Sequence, residues 1–125
     1  MKVCLIEPPK FVSLTNFVST ISMPPIGLAY IAAAIREEGH DVTVVDGPGS
    51  APRNYHIFED EIRVRGLTQE EIIERIPFDA QVIGLGCMFT SHWMYVRELV
   101  SKIRKEFPKA FLLMGGEHVT GFPEF

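Results

Sequence analysis

Residues 24–45 decide the fold, and they read PPIGLAYIAAAIREEGHDVTVV. Apolar side chains recur at helical spacing over Leu28–Ile35, the two prolines suit the first turn of a helix, and Gly39 is a natural C-terminal cap. Val42–Val45 (VTVV) is then a run of β-branched residues that predicts the second strand. Because Val3–Ile6 is an apolar run ahead of the helix, we predict a strand–helix–strand unit with parallel strands.

The rest of the chain continues this alternation of helix and strand. A capping box, Thr68 with Glu71, starts a short helix, and Gln81–Gly86 is the third predicted strand. A longer helix through Val96–Phe107 and a fourth strand at Ala110–Met114 follow. This order predicts an α/β fold, a flavodoxin-like (Rossmann-like) doubly wound parallel sheet in a three-layer αβα arrangement, with strand order 2-1-3-4.

Two connections are long for such a fold, and its end is abrupt. Residues 10–24 form a loop rich in Ser and Thr, of a length often seen in binding loops. Residues 47–67 predict an irregular excursion with one short extended piece at Tyr55–Phe58. Doubly wound sheets normally continue with another helix and a fifth strand. We therefore expect residues 1–125 to be a domain cut short after its fourth strand, and this exposed edge to pair with a second copy.

Composition and charge exclude several classes of function. The chain has 125 residues and a net charge of −4, without a basic patch, which argues against a nucleic-acid binder. The longest apolar run, Ile26–Ile35, is about half the length of a membrane span. Cys4 and Cys87 are too few for an iron–sulfur cluster or a structural zinc site, and we expect reduced, buried thiols in a cytoplasmic protein.

Ligands of doubly wound sheets bind where the strands end at their carboxyl side. Four stretches meet this condition: 7–25, 46–49, 87–92 and 115–120. The chain contains no GxGxxG, no GxxxxGK[ST] and no G-x-S-x-G, and its third strand ends without the acceptor Asp of a receiver domain. No catalytic residue is predicted, so we expect the chain alone to be catalytically silent.

Four motifs together resemble the cobalamin-binding domain attached to radical S-adenosylmethionine (SAM) enzymes. They are PPIGLAYIAAAIREEGHDV at 24–42, RGL at 65–67, VIGL at 82–85 and GGEHVT at 115–120. The resemblance covers nearly the whole chain and implies that residues 1–125 bind cobalamin. It also implies that they present it to a radical SAM domain in the same polypeptide, whose S-adenosylmethionine and 4Fe-4S cluster this chain does not bind. Methyl transfer is the reaction it implies for the parent enzyme.

The resemblance and the strand-end rule together select twelve candidate cofactor-binding residues. They are Thr20, Pro25, Gly27, Cys87, Met88, Phe89, Thr90, Ser91, Gly115, Gly116, His118 and Thr120. Plainer interpretations stay open for several of them. Gly115 and Gly116 are either turn glycines or room for the cofactor's nucleotide tail, and Thr90 and Ser91 either cap the next helix or bind that tail. Residues 87–89 either contact the cofactor or pack in the core.

One departure from related cobalamin domains concerns the cobalt. Methyltransferase cobalamin domains carry D-x-H-x-x-G after the first strand, with the His binding cobalt from below, and this chain has no His in that loop. The resemblance therefore implies cobalamin bound without a protein His ligand, and no metal ligand is predicted. His118, in the GGEHVT motif, is expected to hydrogen-bond to backbone or to the nucleotide tail.

Two other functions remain open on the sequence alone. The chain could bind another nucleotide-tailed ligand such as flavin, although the missing phosphate loop after the first strand argues against it. Alternatively, it is an interaction domain without a ligand. The parent enzyme's substrate would be recognised by residues outside this chain.

Overall fold

A four-stranded parallel sheet forms the centre of the structure. The computed structural model describes residues 1–12, 23–59 and 62–124. Within them the elements are, in chain order, β1 (Lys2–Glu7), β2 (Lys10–Val12), α1 (Ile26–Glu37), β3 (Asp41–Asp46), α2 (Gly47–Ser50), β4 (Tyr55–Phe58), β5 (Ile62–Arg65), α3 (Gln69–Arg75), β6 (Val82–Gly86), a 3-10 turn (Thr90–His92), α4 (Trp93–Glu106), β7 (Phe111–Gly115) and α5 (Glu117–Gly121). Among these helices none has both the length and the apolar character needed to cross a bilayer.

The main sheet has the strand order β3-β1-β6-β7, and all its pairings are parallel. β1 and β3 pair along their full lengths and end together, with Glu7 opposite Asp46. On the other side, β6 pairs with β1 and then with β7, as far as Gly86 opposite Gly115. The predicted α/β flavodoxin-like fold with order 2-1-3-4 is confirmed. All four strands therefore deliver their carboxyl ends to one edge of the sheet.

The larger core lies between one face of this sheet and the helices α3 and α4. Its most buried members are Cys4, Ile6, Ile83 and Leu85 from the strands and Ile72, Tyr95, Leu99 and Ile103 from the helices. These side chains recur every second residue along the strands and every fourth along α4, which is the spacing that gives each element one buried face. Burial of each large side chain contributes roughly 1.5–3 kcal/mol to the stability of this layer.

The opposite face of the sheet is covered by α1 only in part. Ala32 of α1 is buried in a small second core together with Val3, Leu5 and Val42. Over the other half of this face, Phe111 and Leu113 of β7 are 64% and 55% exposed. Leu113 lies opposite Gly84, which has no side chain of its own. Within the described residues, the β6–β7 part of this face is therefore open.

A second sheet, antiparallel and with the order β2-β5-β4, was not expected from the sequence. It uses residues 10–12 and 62–65, for which the prediction of irregular structure is wrong, and the predicted extended piece Tyr55–Phe58. These strands have only three or four residues each and pair with partners far along the chain, as in Phe11 opposite Val64. Such short strands carry too little periodicity to be recognised before their partners are known.

The small sheet packs on the larger core through aromatic rings. The ring centroids of Phe11 and Phe58 lie 6.0 and 5.0 Å from that of Tyr95, with interplanar angles of 89° and 73°. Edge-to-face pairs of this kind add about 0.5–1.5 kcal/mol each beyond their burial. The ring of Phe11 also contacts His92, which places the small sheet beside the carboxyl edge of the main sheet.

Two glycines allow three backbone segments to meet where the small sheet joins the end of β1. The amide of Leu67 donates to the carbonyl oxygen of Gly47 at 2.8 Å. Gly66 has φ of +131°, and a Cβ there would lie 2.5 Å from Gly47 O and 2.9 Å from Pro9 Cβ. Because no side chain fits between these segments, the RGL motif at 65–67 has a structural role.

Candidate functional site

A cleft of about 530 Å³ opens at the carboxyl ends of β1, β6 and β7. The first turns of α1 form one wall, and the segment that leads from β6 into α4 forms the other. This is the place where doubly wound sheets bind their ligands, and the volume is typical of a small-molecule site.

The floor of the cleft is backbone rather than side chain. It includes Gly84 and Gly86 of β6 and Gly115 of β7, with Gly86 opposite Gly115 in the register. A Cβ built on Gly115 would meet no atom within 4 Å, so that position opens directly into the cleft. A flat ligand can therefore lie against the exposed backbone of two neighbouring strands at these glycines.

Apolar side chains form most of the walls. They include Leu5, Leu28, Ile31, Met88, Phe89 and Leu113. Met88 and Phe89, at the rim beyond β6, are 54% and 57% exposed. Large apolar side chains that stay exposed beside a cleft are typical of a surface that another molecule covers.

Polar chemistry in the cleft centres on Glu7, Lys10 and His92. Glu7, the last residue of β1, forms an ion pair with Lys10. Burial lowers the pKa of His92, nearby Lys10 lowers it further, and Glu7 opposes both effects. The imidazole of His92 is therefore neutral at pH 7.

The buried thiol of Cys87 follows β6 and also lines the cleft. Burial raises its pKa, and its Sγ lies 3.7 Å from the carbonyl oxygen of Phe89, to which it donates a weak hydrogen bond. Cys4 is likewise free and buried, and burial raises its pKa to about 12. Both thiols are therefore protonated at neutral pH, which makes them poor nucleophiles.

Seven of the twelve predicted contact residues line the cleft, namely Pro25, Gly27, Cys87, Met88, Phe89, Gly115 and Gly116. Thr20 lies outside the described residues. The remaining four, Thr90, Ser91, His118 and Thr120, lie beside the cleft without lining it. The alternative role of Thr90 and Ser91 as helix caps is wrong, because neither the 3-10 turn nor α4 has a side-chain cap.

His118 fixes the end of the chain and does not face the cleft. It is 5% exposed, its Nδ1 lies 3.2 Å from Thr90 Oγ1, and its Nε2 has no hydrogen-bond partner among the described residues. Its ring centroid lies 4.9 Å from that of Trp93 and 5.6 Å from that of Phe122. These contacts hold α5 against the start of α4.

Gly116 turns the chain from β7 into α5 in direct contact with the end of β6. It has φ of +109°, and a Cβ there would lie 2.4 Å from the carbonyl oxygen of Cys87. The amide of Cys87 donates to Gly115 O at 2.8 Å, and the amide of His118 donates to Cys87 O at 3.3 Å. This residue therefore locks together the two strand ends that floor the cleft. α5 begins at Glu117, where no helix was predicted.

Sequence reasoning did not assign several residues that line the cleft. They are Leu5, Glu7, Lys10, Leu28, Ile31, His92 and Leu113. Glu7, Lys10 and His92 lie within the stretches 7–25 and 87–92 that the strand-end rule selected, but they were not singled out. The other four were missed because the cleft extends down the open sheet face and along α1. Gly84 and Gly86 carried a usable signal, since glycines inside a strand predict a close approach to the backbone.

A model of the protein family described as "B12 binding domain" matches residues 14–125. The chain belongs to the B12-binding domain family. The resemblance to cobalamin-binding domains is confirmed at this level. The matched residues include five of the seven elements that line the cleft, all except β1 and β2, so the match covers most of the site as well as the fold.

Two curated methyltransferases are similar to this B12-binding domain. An uncharacterized methyltransferase of Pyrococcus horikoshii is 37% identical over 126 residues, which cover 99% of this chain and 23% of the relative. The cytidylyl-2-hydroxyethylphosphonate methyltransferase of Streptomyces wedmorensis is 27% identical over 103 residues, 80% of this chain and 19% of the relative. The chain thus spans about a fifth of the length of these relatives. No solved structure matches it.

The residues of this B12-binding domain fit cobalamin. The open position at Gly115 and the paired Gly86 leave backbone exposed for a planar base, and the surrounding walls are apolar. The neutral polar groups of a nucleotide tail can hydrogen-bond to strand-end backbone.

Proposed function

We propose that this B12-binding domain holds cobalamin at the carboxyl ends of β1, β6 and β7 and presents it to a radical SAM domain of the same polypeptide for methyl transfer. The observation that carries the proposal is the glycine-floored cleft at the strand ends. In this proposal S-adenosylmethionine and a 4Fe-4S cluster belong to the other domain. When bound, the cobalamin supplies a cobalt centre that can carry a methyl group.

The cleft is smaller than a whole cobalamin molecule, so only part of the cofactor would lie inside it and the rest would lie at its mouth. The nucleotide tail lies against Gly84, Gly86 and Gly115, between the open sheet face and α1. The corrin lies across the strand ends, over Met88 and Phe89. Of the residues beside the cleft, the exposed Ser91 and Thr120 would hydrogen-bond to amide groups at the corrin's margin, while Thr90 and His118 would support the floor from behind.

Exposed apolar side chains around the mouth support the presentation of the corrin to a second domain. Met23, which lines a neighbouring pocket together with Glu7, Lys10 and Pro25, is exposed on the α1 side, and Met88 and Phe89 are exposed on the β6 side. A domain that closes over the corrin would bury these side chains and exclude water from the cobalt. The two similar methyltransferases are several times longer than this chain and have room for such a domain.

The proposal is tested with hydroxocobalamin and gel filtration. Chain mixed with the cofactor is expected to elute with corrin absorbance at about one equivalent, while flavin mononucleotide in a parallel run is not retained. A colourless protein fraction from both the 125-residue chain and the full-length gene product contradicts cobalamin binding. A gene that encodes no CxxxCxxC after residue 125 contradicts the radical SAM partner but leaves cobalamin binding intact.

We also propose that in a longer protein the open face at Phe111 and Leu113 is covered by a further helix, and the free edge of β7 by a fifth strand. In the isolated chain that edge pairs instead with a second copy, because its backbone groups are unpaired among the described residues. Light scattering at increasing concentration is expected to show a monomer–dimer equilibrium. A single monomeric mass throughout the range contradicts the pairing.

The two free, buried thiols support a reducing compartment, and we propose the cytoplasm. When the chain is expressed in an oxidising compartment, both thiols are expected to stay free as long as the folded chain keeps them buried.

A further inference from the structure

The structure brings one histidine to the cleft that sequence comparison did not select. His92 ends the 3-10 turn after β6, and its side chain lines the cleft. His118, in the GGEHVT motif, points into the contact with Thr90 instead. The histidine that faces the cofactor region is therefore supplied by the β6–α4 connection.

Two aromatic rings hold the imidazole of His92 without using its nitrogens. Its ring centroid lies 4.4 Å from that of Phe11 at an interplanar angle of 47°, and 5.5 Å from that of Phe89 at 73°. Its backbone amide donates to Phe89 O at 3.0 Å, which closes the turn. The ring is thus fixed from two sides and from its own backbone.

Neither ring nitrogen of His92 forms a hydrogen bond within the part of the chain that the structure describes. Its polar neighbours in the cleft are already satisfied, since Glu7 and Lys10 pair with each other and the thiol of Cys87 is directed at a carbonyl oxygen. An imidazole that is half-buried, fixed in orientation and left with free nitrogens is well placed to bind a ligand.

The position of Phe11 adds a topological argument. Phe11 lies in β2, in the connection that follows β1. This connection provides the aromatic ring of Phe11. That ring packs against His92, which lies in the connection after β6, the strand next to β1 in the sheet. Both connections meet at the same edge of the sheet, so a histidine from either one reaches the same region.

We propose that His92 is the axial nitrogen ligand to the cobalt of cobalamin bound in this cleft. The proposal rests on the proposed function, and it departs from the sequence-based expectation of a cofactor without a protein His ligand. Imidazole nitrogen is the commonest protein donor to transition metals and suits cobalt. The corrin would hold the cobalt through its own nitrogens, so His92 is the one protein donor that the proposal requires.

Electron paramagnetic resonance (EPR) of the cobalt(II) form tests this directly. The chain is loaded with hydroxocobalamin of natural isotopic abundance, freed of excess by gel filtration and reduced with a single electron equivalent of titanium(III) citrate per cobalt, which stops at cobalt(II). A single axial ¹⁴N is expected to split the high-field cobalt lines into triplets. Uniform ¹⁵N labelling of the protein alone is expected to change these triplets into doublets, since the nitrogen then belongs to the protein.

A matched pair of variants assigns the nitrogen. His92→Ala is expected to lose the splitting while still eluting with corrin, and His40→Ala, at the amino end of β3, is expected to keep it. The labelling result on the unaltered chain stands even if His92→Ala fails to fold. Triplets that survive ¹⁵N labelling, or cobalt lines without nitrogen splitting, overturn the assignment while leaving cobalamin binding intact. A colourless fraction overturns the proposed function and this inference together.

Discussion

A chain carrying Gly116→Ala is expected to lose both stability and cobalamin binding. The new Cβ would lie 2.4 Å from the carbonyl oxygen of Cys87, in a backbone conformation with φ of +109° and ψ of 166° that is essentially restricted to glycine. Backbone on both sides must move, so the ends of β6 and β7 separate. We expect the free energy of unfolding to fall by about 2–4 kcal/mol, measured by urea denaturation.

The neighbouring glycine provides the matched control. Gly115→Ala adds a Cβ that meets no atom within 4 Å, so stability should change by less than about 1 kcal/mol. That Cβ enters the cleft, however, and should reduce cobalamin affinity at least tenfold, about 1.4 kcal/mol. Gly121→Ala, also in open space but away from the floor, is expected to change neither quantity. Unchanged affinity in Gly115→Ala contradicts a nucleotide tail that lies on this floor.

Replacing Gly66 by alanine is expected to detach the small sheet from the end of β1. The left-handed backbone costs about 1–2 kcal/mol, and the contact of the new Cβ with Gly47 O and Pro9 Cβ adds a further amount of about 1–3 kcal/mol. The small sheet carries Phe11, which supports His92. We therefore expect a loss of about 3 kcal/mol or more in stability, together with weaker cofactor binding.

The variant Gly39→Ala separates the cost of the backbone conformation from the cost of the contact that a Cβ at Gly66 would make with Gly47 and Pro9. Gly39 has φ of +83°, but a Cβ there meets nothing within 4 Å. Its replacement should cost only the backbone part, about 1–2 kcal/mol, without an effect on cofactor binding. Equal losses of stability in the two variants, measured by urea denaturation, would show that the contact between the three backbone segments contributes nothing.

Much of the main sheet was predictable because its signals are local. The capping box formed as predicted, with Thr68 Oγ1 accepting from the amide of Glu71 at 3.2 Å and Glu71 Oε2 accepting from the amide of Thr68 at 2.8 Å. Apolar or β-branched runs marked all four strands of this sheet, and the handedness rule for parallel connections then left few possible orders. The loops that follow β6 and β7 were selected for the same reason.

The amino-acid sequence by itself determined the order of the main elements, the parallel sheet and the glycine-bearing strand ends, because each depends on spacing within one segment. Only the tertiary structure decided which histidine faces the cleft. His92 and His118 both follow carboxyl ends of strands, and their roles depend on the rings around them, Phe11 for one and Trp93 for the other. Those contacts join segments far apart in the chain, and no local pattern encodes them.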